Sequence, residues 1–183
     1  GERVSVTGPW AYGSGLVTTC APGKVGFVAV SSGDLNMASG PRACNGSPCE
    51  SVVVSKAPPT LVTTASAPVA VGGDISDSAL LSGGFNPKGT IVFTVFGPDD
   101  TNCTGAAAFT STVAVNGNKA YSSGLFTTTA PGKYRFVAVY SVDLNNAAVT
   151  RACKVSPSEA VVVSKQPPTL VTTASAPVAV GGD

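Results

Sequence analysis

Apolar and polar side chains alternate along most of this chain. From Thr90 to Phe96, Ile91, Phe93 and Val95 fall on one side of an extended backbone and Val92, Thr94 and Phe96 on the other. Tyr134 to Tyr140 repeats the pattern with Tyr134, Phe136, Ala138 and Tyr140. Both read as strands of period two. Further strands are predicted at Thr60–Thr64, Pro68–Val71, Ser76–Leu81, Phe109–Val115, Ala120–Thr128 and Ala160–Ser164. Between them lie Gly72-Gly73-Asp74, Asn86-Pro87-Lys88-Gly89, Gly97-Pro98-Asp99-Asp100, Asn116-Gly117-Asn118 and Pro131-Gly132-Lys133. These are turn signals, because Gly reaches positive φ without a Cβ clash and Pro presets φ. The Asn116-Gly117 step between two alternating runs predicts a hairpin. No stretch has helical periodicity. The expected fold is all-β, a two-sheet antiparallel sandwich.

The chain repeats itself. Ser55–Asp74 returns as Ser164–Asp183 with a single change, Ala57 to Gln166, at an offset of 109. The same offset aligns residues 1–74 with 110–183 without a gap, and 51 of the 74 positions are identical. The expected organisation is therefore the C-terminal half of one repeat (1–54), a complete repeat (55–163) and the opening strands of a third (164–183). At the junction, Val52-Val-Val-Ser-Lys-Ala-Pro-Pro-Thr-Leu-Val62 passes almost directly from one strand to the next. The Pro58-Pro59 pair lacks two backbone donors and favours an extended backbone, so the connection should be short and stiff.

Composition narrows the chemistry. Charged residues are 11% of the chain and the net charge is +1, which argues against a nucleic-acid groove or a polybasic membrane patch. There is no histidine, which excludes within this chain a Ser-His-Asp triad, a Cys-His dyad and any His-ligated metal. No apolar stretch approaches a membrane span. Val, Ser and Thr dominate while Ile and Met are scarce, in keeping with pleated strands. Asp99-Asp100 reads as turn capping rather than a catalytic pair, since no second acidic cluster accompanies it. Asp143-Leu-Asn145-Asn146, echoed as Asp34-Leu-Asn36, offers too few oxygens for calcium and reads as an Asx turn. No catalytic residue, metal site or cofactor is expected.

Five cysteines in such a chain point to an oxidising, extracellular setting. Cys103 and Cys153 are the two inside the complete repeat and form the natural pair. Cys44 matches Cys153 under the offset, which places its equivalent partner upstream of Gly1. Cys20 and Cys49 stand where the second copy has Thr129 and Ser158, which suggests a second bridge particular to the first copy. A local Cys44–Cys49 bridge or a link to another chain are the alternatives. Trp10, beside Tyr12, occupies the position of Lys119 at the expected hairpin tip. It either packs over its own hairpin or stands ready to stack on a sugar or dock on a neighbour.

The segments Asn86-Pro-Lys-Gly-Thr-Ile-Val-Phe-Thr-Val-Phe-Gly97 and Pro131-Gly-Lys-Tyr-Arg-Phe-Val-Ala-Val-Tyr-Ser-Val-Asp-Leu-Asn-Asn146, with the closing Ala160-Val-Val-Val-Ser-Lys165, resemble the tandem immunoglobulin-like (Big-type) repeat domains of bacterial secreted and cell-surface proteins. The resemblance spans the full repeat and both partial ones. It implies immunoglobulin-like sandwiches and a tyrosine corner at Tyr134, which the first copy, with Val25-Gly26, lacks. It also implies a spacer, stalk or adhesive role. The expected function is thus a non-enzymatic structural repeat of an extracellular rod, either a cell-surface stalk or a filament, whose partners are neighbouring repeats or identical chains. The alternatives are an accessory module of a large secreted enzyme and a glycan-binding adhesin domain using Trp10 and Tyr12.

Overall fold

The computed structural model describes residues 21–31, 35–36, 38, 40–42, 51–153, 159–174, 176–177 and 180–181. The first copy contributes β1 (Gly23–Gly26), β2 (Ala29–Ser31), β3 (Gly40–Arg42) and β4 (Ser51–Val54). The central unit opens with β5 (Thr60–Ala65), β6 (Val69–Ala70), β7 (Asp74–Ile75) and β8 (Asp77–Ser82). It continues with β9 (Thr90–Phe96), β10 (Phe109–Ala114), β11 (Ala120–Ser122) and β12 (Phe126–Thr127). It closes with β13 (Gly132–Tyr140), β14 (Val149–Arg151) and β15 (Ala160–Ser164). The protein is all-β, with no α-helix among the described residues.

Two layers face each other in the central unit. The larger is a six-stranded sheet in the order β10-β9-β13-β15-β6, in which β14 pairs with the end of β13 beyond β15. The facing layer is β11-β8-β5, extended at one end by the β12-β7 pair. The first segment of the unit serves both layers: β5 runs antiparallel to β8, whereas β6 joins β15 in parallel. The alternation predicted from sequence sets the packing. Ile91, Phe93 and Val95 of β9 and Tyr134, Phe136, Ala138 and Tyr140 of β13 are all buried, against Ile75, Ala79 and Leu81 from the other layer. These side chains form two apolar clusters, one around Leu81, Phe93 and Tyr140 and the other around Ile75, Tyr134 and Val161.

The predicted strand at Thr90–Phe96 is observed with those bounds, and Ala160–Ser164 likewise. The Asn-Gly hairpin is not. β10 pairs with β9 and β11 with β8, so Asn116-Gly117 carries the chain from one layer to the other. The Tyr121 hydroxyl braces this crossing. It accepts from the Asn116 amide (2.8 Å) and donates to the Gly117 carbonyl (2.7 Å), which rolls the turn over the sandwich edge. The hairpin instead joins β9 to β10 through residues 97–108. The single strand predicted over Ala120–Thr128 is divided into β11 and β12: Ser123 still donates to the Asp77 carbonyl in register with β8, but the Gly124 amide turns away to the Ser111 hydroxyl. β14 is too short for its alternation to register in the sequence.

In the first copy, β1 pairs with β4 and β2 with β3. Val28 and Val30 are exposed there, although their counterparts Val137 and Val139 belong to the continuous strand β13. Residues 165–174 form no strand.

Candidate functional site

Three groups of side chains stand out, one at each end of the sandwich and one at its waist. At the end where β4 enters the central unit, the linker is bonded to the loop after β13. The Ala57 amide donates to the Asn145 carbonyl (2.8 Å), the Ala147 amide donates to the Ala57 carbonyl (3.0 Å), and the Lys56 ammonium donates to the Asp143 carbonyl. A shallow cleft of about 110 Å³ runs between Ala21, Pro22 and Val54 on one side and Ala57, Phe85 and Asn145 on the other.

The loops beneath this cleft are held by Asn146 and Asp143. Asn146 is fully buried, accepts from the Phe85 amide (2.7 Å) and donates to the Phe85 carbonyl (3.0 Å). The Asp143 carboxylate accepts from the amides of Lys88, Asn145 and Asn146 at 2.6–2.8 Å, and from the Tyr140 hydroxyl at 2.8 Å. Desolvation works against the Asp143 charge, but these donors outweigh it and hold the carboxyl well below the usual carboxylate range. Burial, reinforced by this same contact, pushes the Tyr140 hydroxyl well above its ordinary value. The carboxylate is thus engaged as a loop brace, and its oxygens are already taken up by N–H and O–H donors.

At the opposite end, Cys103 in the β9–β10 loop is bonded to Cys153, which follows β14; their Cα atoms lie 5.9 Å apart. Asp100 caps this loop by accepting from the amides of Asn102, Thr104 and Gly105. Those donors, Gly105 foremost, lower its carboxyl from the ordinary value. Asp99 accepts from the Lys133 amide (2.9 Å), and Arg135 donates to the Asp100 carbonyl (3.0 Å). Both acids therefore act on turns. Nearby, the buried Tyr134 donates its hydroxyl to the Ala130 carbonyl (3.1 Å), four residues upstream on the turn that leads into β13.

The group at the waist was not singled out from sequence. Thr63 on β5, Asp77 on β8 and Glu159 just before β15 are 2%, 1% and 1% exposed. The Thr63 hydroxyl donates to Glu159 Oε1 across the gap between the layers. Both oxygens of Asp77 and Oε2 of Glu159 are buried without a hydrogen-bond partner. Burial, reinforced by the Glu159 charge, pushes the Asp77 carboxyl up to about 7; the nearby amides of Ser78 and Thr64 offset this only in part. A signal for these residues does exist in the sequence. Thr63 is in phase with Leu61, Asp77 with Ala79 and Leu81, and Glu159 with Val161 and Val163, so each polar residue occupies a core-facing slot.

Of the cysteines singled out from sequence, Cys103 and Cys153 are brought together, while Cys20, Cys44 and Cys49 lie outside the described residues. Trp10 and Tyr12 also lie outside them. Among the described residues, no three His, Cys, Asp or Glu side chains converge as a metal site, and no helix is long and apolar enough to cross a membrane. The sequence matches no family model and no curated protein.

Proposed function

We propose that this chain is a stretch of a tandem array of immunoglobulin-like sandwiches that serves as a structural, non-enzymatic rod outside the cell, as a surface stalk or a filament. The observation that carries this reading is the junction. The repeat continues through it without a gap, and its linker is hydrogen-bonded to the unit that follows at Asn145 and Ala147. A tether of Gly and Ser would leave two units free to swivel, whereas Pro58-Pro59 beside two backbone bonds and the Lys56–Asp143 contact restricts bending. The immunoglobulin-like assignment is supported by the strand that serves both layers, with β6 parallel to β15, and by the Tyr134 corner. The Cys103–Cys153 bridge favours an oxidising compartment.

Electron microscopy of the native material is the test. Long, straight particles with one axial repeat per sandwich are the expected result. Discrete particles carrying a different domain would assign these units to an accessory role beside a secreted enzyme. Glycan binding lost on Trp10→Ala would instead make the repeat an adhesin.

A further inference from the structure

The arrangement at the waist of the sandwich does not follow from a structural role alone. Two carboxyl groups and a hydroxyl are withdrawn from water, and three of the four carboxylate oxygens have no hydrogen-bond partner. Leaving buried acids unpaired is costly, and an apolar trio would pack the same slots without that cost. The register places them together. Thr63 faces Ala79 and Asp77 faces Ala65, so Thr63 and Asp77 are diagonal neighbours on one inward surface. Glu159 reaches them from the other layer, with its carboxyl already on the Thr63 hydroxyl. Above and below lie the two apolar clusters, which exclude water. A nucleophile, an acyl carbon and a neighbouring acid therefore meet in a dry pocket that links the first long strand of the unit to its last.

The geometry points to an autocatalytic ester cross-link between Thr63 and Glu159, with Asp77 as the proton-transfer group. Thr63 Oγ1 bonds to Glu159 Cδ, and the bond from Cδ to one carboxylate oxygen breaks, its electron pair leaving on that oxygen. The departing oxygen takes one proton from Asp77 and one from the Thr63 hydroxyl and leaves as water. Asp77 enters with its proton and ends as the carboxylate, so charge and atoms balance and no outside reagent is needed. The upward displacement of the Asp77 carboxyl suits this task, since it retains a transferable proton near neutral pH. Condensation is uphill in bulk water, but groups held in contact reach effective concentrations of about 10⁵ M or more, far above that of water itself. The bond would also remove the free hydroxyl and one carboxyl group from the core, the single charge passing from Glu159 to Asp77. The other copies retain the residue types, with Thr172 at the position of Thr63 and Glu50 at that of Glu159.

The mass of the intact, fully reduced chain decides the matter. The expected value is one water below the sequence mass. Trypsin should then release residues 57–88 joined to residues 155–165, and alkaline hydroxylamine should separate the two peptides. Thr63→Val and Asp77→Asn should restore the full sequence mass. Glu159→Gln should form the same ester with loss of ammonia, and so give a product of the same mass as the cross-linked native chain. A reduced native chain at full sequence mass, with the two peptides separate, overturns the proposal whatever the variants do. A linked pair that persists in Thr63→Val would also overturn the assignment, because the bond would then involve another residue.

Discussion

Replacing both Cys103 and Cys153 by serine tests how far a single covalent link sustains this sandwich. The two positions are 50 residues apart, and the link closes a loop that contains β10, β11, β12, β13 and β14. In the chain-entropy treatment such a loop lowers the entropy of the unfolded chain by an amount worth about 4 kcal/mol at 25 °C. The native state adds no obvious counterweight, since the 5.9 Å Cα separation lies in the range that bridges ordinarily adopt. The bonds around the bridge, from Asp100 to three amides and from Arg135 to the Asp100 carbonyl, persist in the double variant and keep the loop folded. The loss should therefore appear as an unfolded-state effect: urea midpoints fall, the dependence on urea steepens, and the melting temperature drops by about 20 °C. Far-UV circular dichroism at increasing urea measures the first two and a thermal scan the third. A loss below about 1 kcal/mol would refute the reasoning, because the unfolded chain would then be compact without the bridge.

Other expectations follow from single side chains. In a Thr63→Val chain, which lacks the hydroxyl, the contribution of protonated Asp77 to stability should be fully present below about pH 4 and be lost as pH rises through about 7. The reason is that Asp77 binds its proton more tightly folded than unfolded; the fall should be at most about 4 kcal/mol, and Asp77→Asn should flatten it in urea titrations at a series of pH values. Tyr134→Phe leaves the Ala130 carbonyl without its donor and should cost about 1 kcal/mol, read as a lower melting temperature with unchanged secondary structure. Asp143→Ala removes the acceptor of three amides and a hydroxyl, and should cost about 1–2 kcal/mol after allowance for solvent screening. Because its folded carboxyl lies below the usual range, that contribution should persist down to about pH 4 and vanish only at lower pH. Hydrogen exchange should report the loosening at Lys88 and Asn146 first.

Much of the architecture was legible because period-two alternation is a local property. Ile91, Phe93 and Val95 had to share a face wherever they were packed, and the turn residues around them bound the strand without reference to the rest of the fold. The capping role of Asp100 was legible for the same reason, since its partners are at most five residues away. What was misread depended on distant partners. Asn116-Gly117 has the local chemistry of a hairpin, but the edges available to its flanking strands, β9 for one and β8 for the other, lie in opposite layers. The waist trio was missed because each of its members is an ordinary residue in its own strand. Only the meeting of β5, β8 and the start of β15 makes them a cluster.

The segment that opens the central unit separates what sequence determined from what tertiary structure decided. Pro59-Thr-Leu-Val-Thr-Thr-Ala65 and Pro168-Thr-Leu-Val-Thr-Thr-Ala174 are identical, and in both the side-chain period and the stiff proline entry are set by the residues alone. In the copy at Pro59–Ala65, β8 supplies the antiparallel ladder and Leu61 is buried, a pairing that the segment's own residues do not specify. A lone strand satisfies none of its backbone donors and acceptors by itself, and each neighbour that pairs with it supplies partners for about half of them. Sequence can therefore specify which face is apolar, while the fold as a whole decides whether that face is ever covered.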